Sequence, residues 1–357
     1  MQNGLEGVVV AETLTSSVDG EAGELIIGGR AVGDLSGVVP FERVCGLMWE
    51  RDVEVAVPLG AARARAFERL PDLGRALSLA DGMDALRASV AQLDDTSREG
   101  VTGAVAVFAA AWSRTRRGLD PIAPDPEAAH AADYLRMLHG DAPTDGAAAA
   151  MDAYFAAVVD HGMNASTFAA RVVASTESDR VSSVVAAIGA LKGRLHGGAP
   201  GPVLDMLDAV GAPERAEAWV REALDAKERI MGMGHRVYRV RDPRAAVLER
   251  AVEQLDSVAD PARLALARAV EQAAERQLRE RKPDRPLRAN VEFYTALLLE
   301  ALGIERALFT PTFACARVVG WCAHYDEQRA EGRLIRPRAR YVGPRPEAAP
   351  ALRSRAG

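Results

Sequence analysis

One stretch restricts this chain more than any other. Residues 101–118, VTGAVAVFAAAWSRTRRG, are apolar almost throughout and turn basic just before a glycine. A helix apolar on all sides has no face for solvent, so neighbours must enclose it; a basic end followed by glycine suits its C-terminus. The enclosing elements read as helices too. MDALRASVAQL lines up Met83, Leu86, Val90 and Leu93, and residues 213–231, PERAEAWVREALDAKERIM, gather Trp219, Val220, Ala223, Leu224 and Ile230 on a broad apolar face. DPRAAVLERAVEQL begins with Asp242 as a cap and Pro243 in the first turn. PARLALARAVEQAAERQLRERK, NVEFYTALLLEALGI and FTPTFACARVVGWCAHYDEQRAEG supply three more helices, and AAAAMDAYFAAVVDHGMN is helical to about His161. Only residues 5–30 differ: LEGVVVAE and GELIIGGR read as paired strands around the turn SSVDGEAG. No strand–helix alternation follows. The expectation is an all-α chain with a small β element near its N-terminus.

The 357 residues suffice for about two domains, and aromatic residues at only 5% agree with a helical protein. A net charge of −6 weighs against general nucleic-acid binding. Cys45, Cys315 and Cys322 have no metal-type spacing and read as core thiols in a reducing, cytoplasmic setting. No apolar run of about eighteen residues predicts a membrane span, and the N-terminus lacks the pattern of a signal peptide. His130 and His139 read as surface or helix-end histidines, because nothing acidic or thiol-bearing recurs at metal spacing.

The chemistry concentrates in residues 231–244, MGMGHRVYRVRDPR. Two glycines precede His235, and arginines follow up to Asp242-Pro243-Arg244. Glycine lets a backbone approach a ligand, histidine exchanges protons near neutral pH, and arginine grips carboxylates with two prongs. The glycines follow a helix, not a strand, so they are no dinucleotide fingerprint. Two other histidines sit at glycine-rich element ends, His161 in DHGMN and His196 in LHGGAP. Singly, these read more simply as helix-end histidines, Glu292 as an acid favoured by the helix dipole, and Arg317 as a buried charge paired with Asp326 or Glu327. His324 reads as structural.

The ordered set LHGGAP, MGMGHRVYRVRDPR, NVEFYTALLLEALGI and FACARVVGWCAHYDEQ resembles the citrate synthase family. GLEGVVVAET, NASTFAARVVAST and RPRARYVG extend the resemblance over nearly the whole chain, except roughly residues 51–80 and the last dozen. It implies an all-α homodimer. Residues 1–195 and 298–357 would form a large dimer-forming domain, and 196–297 a small domain closing over the site. The implied reaction joins acetyl-CoA to oxaloacetate in the tricarboxylic acid cycle, with no metal or cofactor.

By the same resemblance His196 donates to the thioester oxygen, Glu292 is the base, and His235 protonates the oxaloacetate ketone. His161, Arg244 and Arg317 hold oxaloacetate, and Arg336 reaches into the partner's site. Met231, Gly232, Met233 and Gly234 cradle the CoA adenine, and Arg239 contacts a CoA phosphate. A weakly acidic methyl C–H requires such a base opposite a hydrogen-bond donor to the carbonyl oxygen.

Three positions depart from the family's pattern. Glu292 stands where aspartate is usual, Gly162 where glutamate is usual, and Arg194 where proline is common. A 2-methylcitrate synthase using propionyl-CoA and a catalytically weakened ligand-binding dimer therefore remain open readings.

Overall fold

The computed structural model describes residues 4–343 apart from 6, 51–53, 198–199, 236, 256–259 and 284–286. A three-stranded antiparallel sheet opens the chain: β1 (Ser16–Asp19), β2 (Glu24–Ile27) and β3 (Arg30–Ala31), with Ser16 opposite Ile27 and Ile26 opposite Ala31. GELIIGGR thus contributes a strand as expected, but LEGVVVAE does not. Its partner is instead SSVD, the start of the expected turn. The reason is burial: Leu25 and Ile27 enter the core, whereas Val8 and Val9 stay exposed.

Fifteen α-helices follow among the described residues. The first six are α1 (Val32–Leu35), α2 (Phe41–Glu50), α3 (Ala56–Glu68), α4 (Gly82–Val90), α5 (Arg98–Arg116) and α6 (His130–His139). Helix α5 is buried continuously from Gly100 to Ser113, enclosed by α3, α4, α6 and the last helix, as its apolar circumference requires. His130 stands at a helix end, the start of α6, but is buried rather than on the surface. It receives Arg63, which also binds the Asp133 carboxylate at 2.8 Å, so the pair completes a charged cluster inside the core.

Next come α7 (Asp145–Val158), α8 (Ala165–Ala174), α9 (Arg180–Leu191), α10 (Pro200–Val210) and α11 (Ala216–Asp225). Helix α7 stops three residues before His161. Asn164 caps α8, its side-chain carbonyl accepting from the backbone N–H groups of Ser166 and Thr167, both at 3.1 Å. Helix α11 is shorter than its apolar face suggested. It ends at Asp225, and Lys227 takes a left-handed φ of 62°.

The chain ends with α12 (Pro243–Glu253), α13 (Pro261–Arg281), α14 (Val291–Ala301) and α15 (Phe309–Glu331). Helices α10 to α14 pack chiefly on one another, with α12 also against α7, and α15 touches α2, α4, α5, α7, α8 and α9. Residue 297 falls inside α14. All three cysteines are buried free thiols, and no described helix is long and apolar enough to cross a membrane.

Candidate active site

Between α11 and α12 the chain folds into an irregular loop that owes its path to two glycines. Gly232 and Gly234 have φ values of 73° and 86°. A Cβ on Gly232 would stand 2.8 Å from the Phe293 ring, so position 232 needs glycine for conformation and for close approach. The loop lies against the segment leading into α14. Met233 bridges Ala289, Gly234 N–H donates to the Arg288 carbonyl at 2.7 Å, and Asn290 N–H donates to the Gly232 carbonyl at 2.9 Å. Asn290 works at both ends. Its Nδ2 donates to the Gly234 carbonyl at 2.9 Å, and its Oδ1 accepts from Glu292 N–H at 3.0 Å, capping α14. Residues fifty-seven apart in sequence, His235 and Glu292, are thereby held on neighbouring segments.

The His235 ring has a defined proton position. Its Nδ1 accepts from the backbone N–H groups of Val237 and Tyr238 at 3.0 and 3.1 Å. A backbone N–H only donates, so Nδ1 is bare and the neutral ring carries its proton on Nε2. Burial, aided by Arg244, pulls the His235 pKa down to about 4, so the ring is neutral at pH 7. His161 packs edge-on at 5.3 Å between ring centres, and its Nε2 lies 3.2 Å from the Tyr238 hydroxyl. Burial, then Arg244, holds His161 well below the usual histidine range.

Tyr238, buried 4.8 Å from the His235 ring, is a member of the cluster that sequence reasoning missed. Its signal was its place three residues after His235, where its N–H can return to the ring.

His196 stands in the turns after α9. Its Nε2 lies 2.8 Å from Ser166 Oγ, with the Ser166 N–H directed at it from 3.4 Å. The Ser166 N–H favours a bare Nε2, whereas the Ser166 hydroxyl, which also lies 2.8 Å from Asn164 Oδ1, can donate to only one of the two acceptors. Ser166 is fixed in turn by Trp321 of α15, whose Nε1 donates to its hydroxyl oxygen at 3.1 Å. Burial, then Arg317, brings the His196 pKa down to about 4.

Arg317, one turn before Trp321 on α15, is fully buried. Its Nε donates to the Val158 carbonyl at the end of α7 at 2.7 Å, and its guanidinium lies 4.6 Å from the Phe313 ring centre. It does not pair with Asp326 or Glu327: Asp326 binds Arg180 at 2.5 Å, and Glu327 binds Arg171 at 2.8 Å. The field of Arg317 is available to the cluster. Burial lowers its pKa to about 10 against the pull of Asp160, so it stays cationic.

Arg244 is nearly as buried, and its Nε and Nη2 grip the Asp242 carboxylate at 3.0 and 2.7 Å. Burial pushes the Glu292 carboxyl up to about 7, and Asp242 adds to this against Arg244 and Arg317. His324 is structural as expected, lying 3.0 Å from Arg171 and 3.3 Å from the Asp160 carboxylate.

The structure brings His161, His235 and Tyr238 into contact, with Arg244, Glu292, Arg317 and His196 linked through electrostatic reach. It leaves other expected residues outside. Met231 and Met233 are half-buried in the glycine loop, and Arg239 is exposed with Glu21 at 3.9 Å. Arg336 is exposed in a groove of about 1290 Å³ lined by residues of the N-terminal segment and the end of α15. Gly162 has a φ of 59°, which accounts for glycine there, and its N–H donates to Ser16 Oγ at 2.9 Å. Among the described residues no group of three or more His, Cys, Asp or Glu could hold a metal ion.

Neutral imidazoles, one of them with an assigned proton, two buried guanidinium groups and a carboxyl poised near neutrality define the class, an acid–base site for an anionic substrate. Residues 4–338 match the model of the citrate synthase C-terminal domain. The chain is 38% identical to citrate synthase of Haloferax volcanii, covering 96% of each chain. It is 36% identical to 2-methylcitrate synthase of Mycobacterium tuberculosis, over 96% of this chain and 91% of that one. Among solved structures, citrate synthase of Thermotoga maritima superposes with a TM-score of 0.85 at 33% identity, covering 96% of each chain. A ternary complex of citrate synthase from Thermoplasma acidophilum with carboxymethyl coenzyme A and oxaloacetate gives 0.86 at 28% identity, over 97% of each. The chain belongs to the citrate synthase family. It is an all-α enzyme of the acyl-transferring kind.

Proposed function

We propose that this enzyme condenses acetyl-CoA with oxaloacetate and hydrolyses the product thioester, releasing citrate and CoA. Glu292 takes a proton from the thioester methyl while His196 donates through Nδ1 to the carbonyl oxygen, where charge develops. The resulting enol carbon attacks the ketone carbon of oxaloacetate, and His235 delivers its Nε2 proton to the ketone oxygen. Water then cleaves the citryl thioester. His161, Arg244 and Arg317 hold oxaloacetate, and residues 231–234 with Arg239 take the CoA nucleotide. Residues 196–297 form the unit that closes over the cleft. The enzyme works as a cytoplasmic homodimer, in which Arg336 serves the partner's site.

The observation that carries this reading is the assigned proton of His235. The ring presents Nε2–H within the field of the buried Arg244, and His196 is held through Nε2 against Ser166. Glutamate in place of aspartate is accommodated if its longer side chain folds back, and a raised carboxyl pKa suits a base working near pH 7. A 2-methylcitrate synthase activity is the second reading, supported by the relative of that name. One added methyl changes pocket affinity by only about 1–3 kcal/mol, which leaves propionyl-CoA a competing substrate. The intact cluster speaks against a merely ligand-binding dimer.

The test is CoA release from acetyl-CoA and from propionyl-CoA with oxaloacetate. Release with acetyl-CoA preferred supports the first reading, and a propionyl-CoA preference supports the second. Release with neither overturns both.

A further inference from the structure

The N-terminal hairpin crosses from one histidine-bearing loop to the other. On its β1 side, the Ser16 hydroxyl donates to the Asp160 carboxylate and accepts from Gly162 N–H at 2.9 Å, which engages the residues on either side of His161. Two residues on, Val18 Cγ2 would stand 3.4 Å from a Cβ on Gly162. The hairpin tip reaches the other loop. The Gly20 carbonyl accepts from Arg239 N–H at 2.8 Å, and a Cβ on Gly20 would lie 2.2 Å from the Val237 carbonyl oxygen. Gly23 is as close to Val240, where a Cβ would meet Cγ2 at 2.5 Å.

The hairpin is stiff enough to transmit position. Leu25 and Ile27 anchor it in the core, and Asp19 Oδ1 accepts from the N–H groups of Glu21 and Ala22, both at 2.9 Å, closing the tip. The backbone that it touches is the one that holds His235, because Val237 and Tyr238 supply the two N–H groups on its Nδ1.

We propose that this hairpin is the positioning element of the histidine pair, a strap that fixes the separation of His161 and His235 and with it the fit of oxaloacetate. The inference rests on the substrate assignment above. Ser16 and Gly20 act through the two loops and touch no substrate. Gly20 is glycine for want of space, since its backbone is not left-handed. Alanine there leaves the hairpin unstrained and pushes the Val237 carbonyl away by about 1 Å to restore ordinary contact.

The experiment compares wild type, Gly20→Ala, Ser16→Ala and, as a control, Glu24→Gln, at the exposed first position of β2. Steady-state kinetics in each substrate are read beside deuterium exchange of peptides covering 159–163 and 235–241. The expected result is a fall of about 10- to 100-fold in kcat/KM for oxaloacetate in Gly20→Ala, with KM for the acyl-CoA within about twofold. Exchange in 235–241 accelerates in Gly20→Ala, exchange in 159–163 accelerates in Ser16→Ala, and Glu24→Gln matches wild type. Unchanged oxaloacetate kinetics with unchanged exchange overturns the proposal. So does an equal rise in both KM values with a lowered melting temperature, the signature of general destabilisation. A wild type that releases no CoA removes the substrate assignment instead, and the exchange data then decide alone whether the hairpin holds the loops.

Discussion

Replacing Glu292 with glutamine is expected to silence the enzyme and, above neutral pH, to stabilise it. Burial raises this carboxyl from an ordinary 4.5 to about 7. The folded protein therefore holds the proton more tightly than the unfolded chain, and its stability falls as pH rises from about 4.5 to about 7. The gap, 7 − 4.5 = 2.5, at about 1.36 kcal/mol each, is worth about 3 kcal/mol. Glutamine has nearly the same shape and no charge to bury, so it escapes that cost. For 357 residues about 3 kcal/mol corresponds to a melting shift of roughly 4 °C.

The assay is thermal unfolding of wild type and Glu292→Gln at about pH 4.5 and about pH 8.5, alongside CoA release. The variant should match wild type at the lower pH, melt higher at the upper one, and lose about 10²- to 10⁴-fold in turnover. Equal melting temperatures at both pH values would refute the claim that the carboxylate is held at a cost. Undiminished turnover would remove Glu292 from the mechanism.

Other consequences can be checked as directly. If Glu292 is the base, the acid limb of kcat/KM should rise with pH through about 7 in wild type as it loses its proton, and a pH–rate profile flat across that region would contradict this. Tyr238→Phe removes the hydroxyl 3.2 Å from His161 and should weaken oxaloacetate binding several-fold while sparing the acyl-CoA KM, measurable by steady-state kinetics. Arg63→Ala should lower stability by about 1.5–3 kcal/mol in denaturant melts, because it removes one of the two arginines that bind the buried Asp133 carboxylate. If Arg336 serves a neighbouring subunit, inactive Arg336→Ala and His235→Ala chains should regain partial activity when exchanged into mixed dimers.

The helical architecture could be read from the chain because periodicity reports burial directly. The enclosed helix around Ala106 and the amphipathic one around Val270 lie where their apolar faces required. Boundaries were harder. Helix α11 stops at Asp225 because Lys227 turns left-handed, and no residue type there announces such a turn. The first strand was misread because LEGVVVAE has the β-branched composition of a strand but no buried face, whereas SSVD pairs with the strand that has one. In the site, the glycine-flanked histidines were legible and their partners were not. Tyr238 joins His161 and Trp321 steadies Ser166 only through tertiary approach, and the hairpin tip meets residues 237–240 across more than two hundred positions of sequence. The expected pairing of Arg317 failed for the same reason, as nearer arginines had already claimed Asp326 and Glu327.

Asn290 narrows the routes by which such an enzyme can vary. Its two amide atoms serve different masters, one the helix that carries Glu292 and the other the Gly234 carbonyl. Aspartate would keep the first bond and forfeit the second; serine is too short to span both. Drift at this position therefore cannot retune the helix end that carries Glu292 without loosening the glycine loop. The two halves of the chemistry inherit change together, through one side chain that takes no part in it.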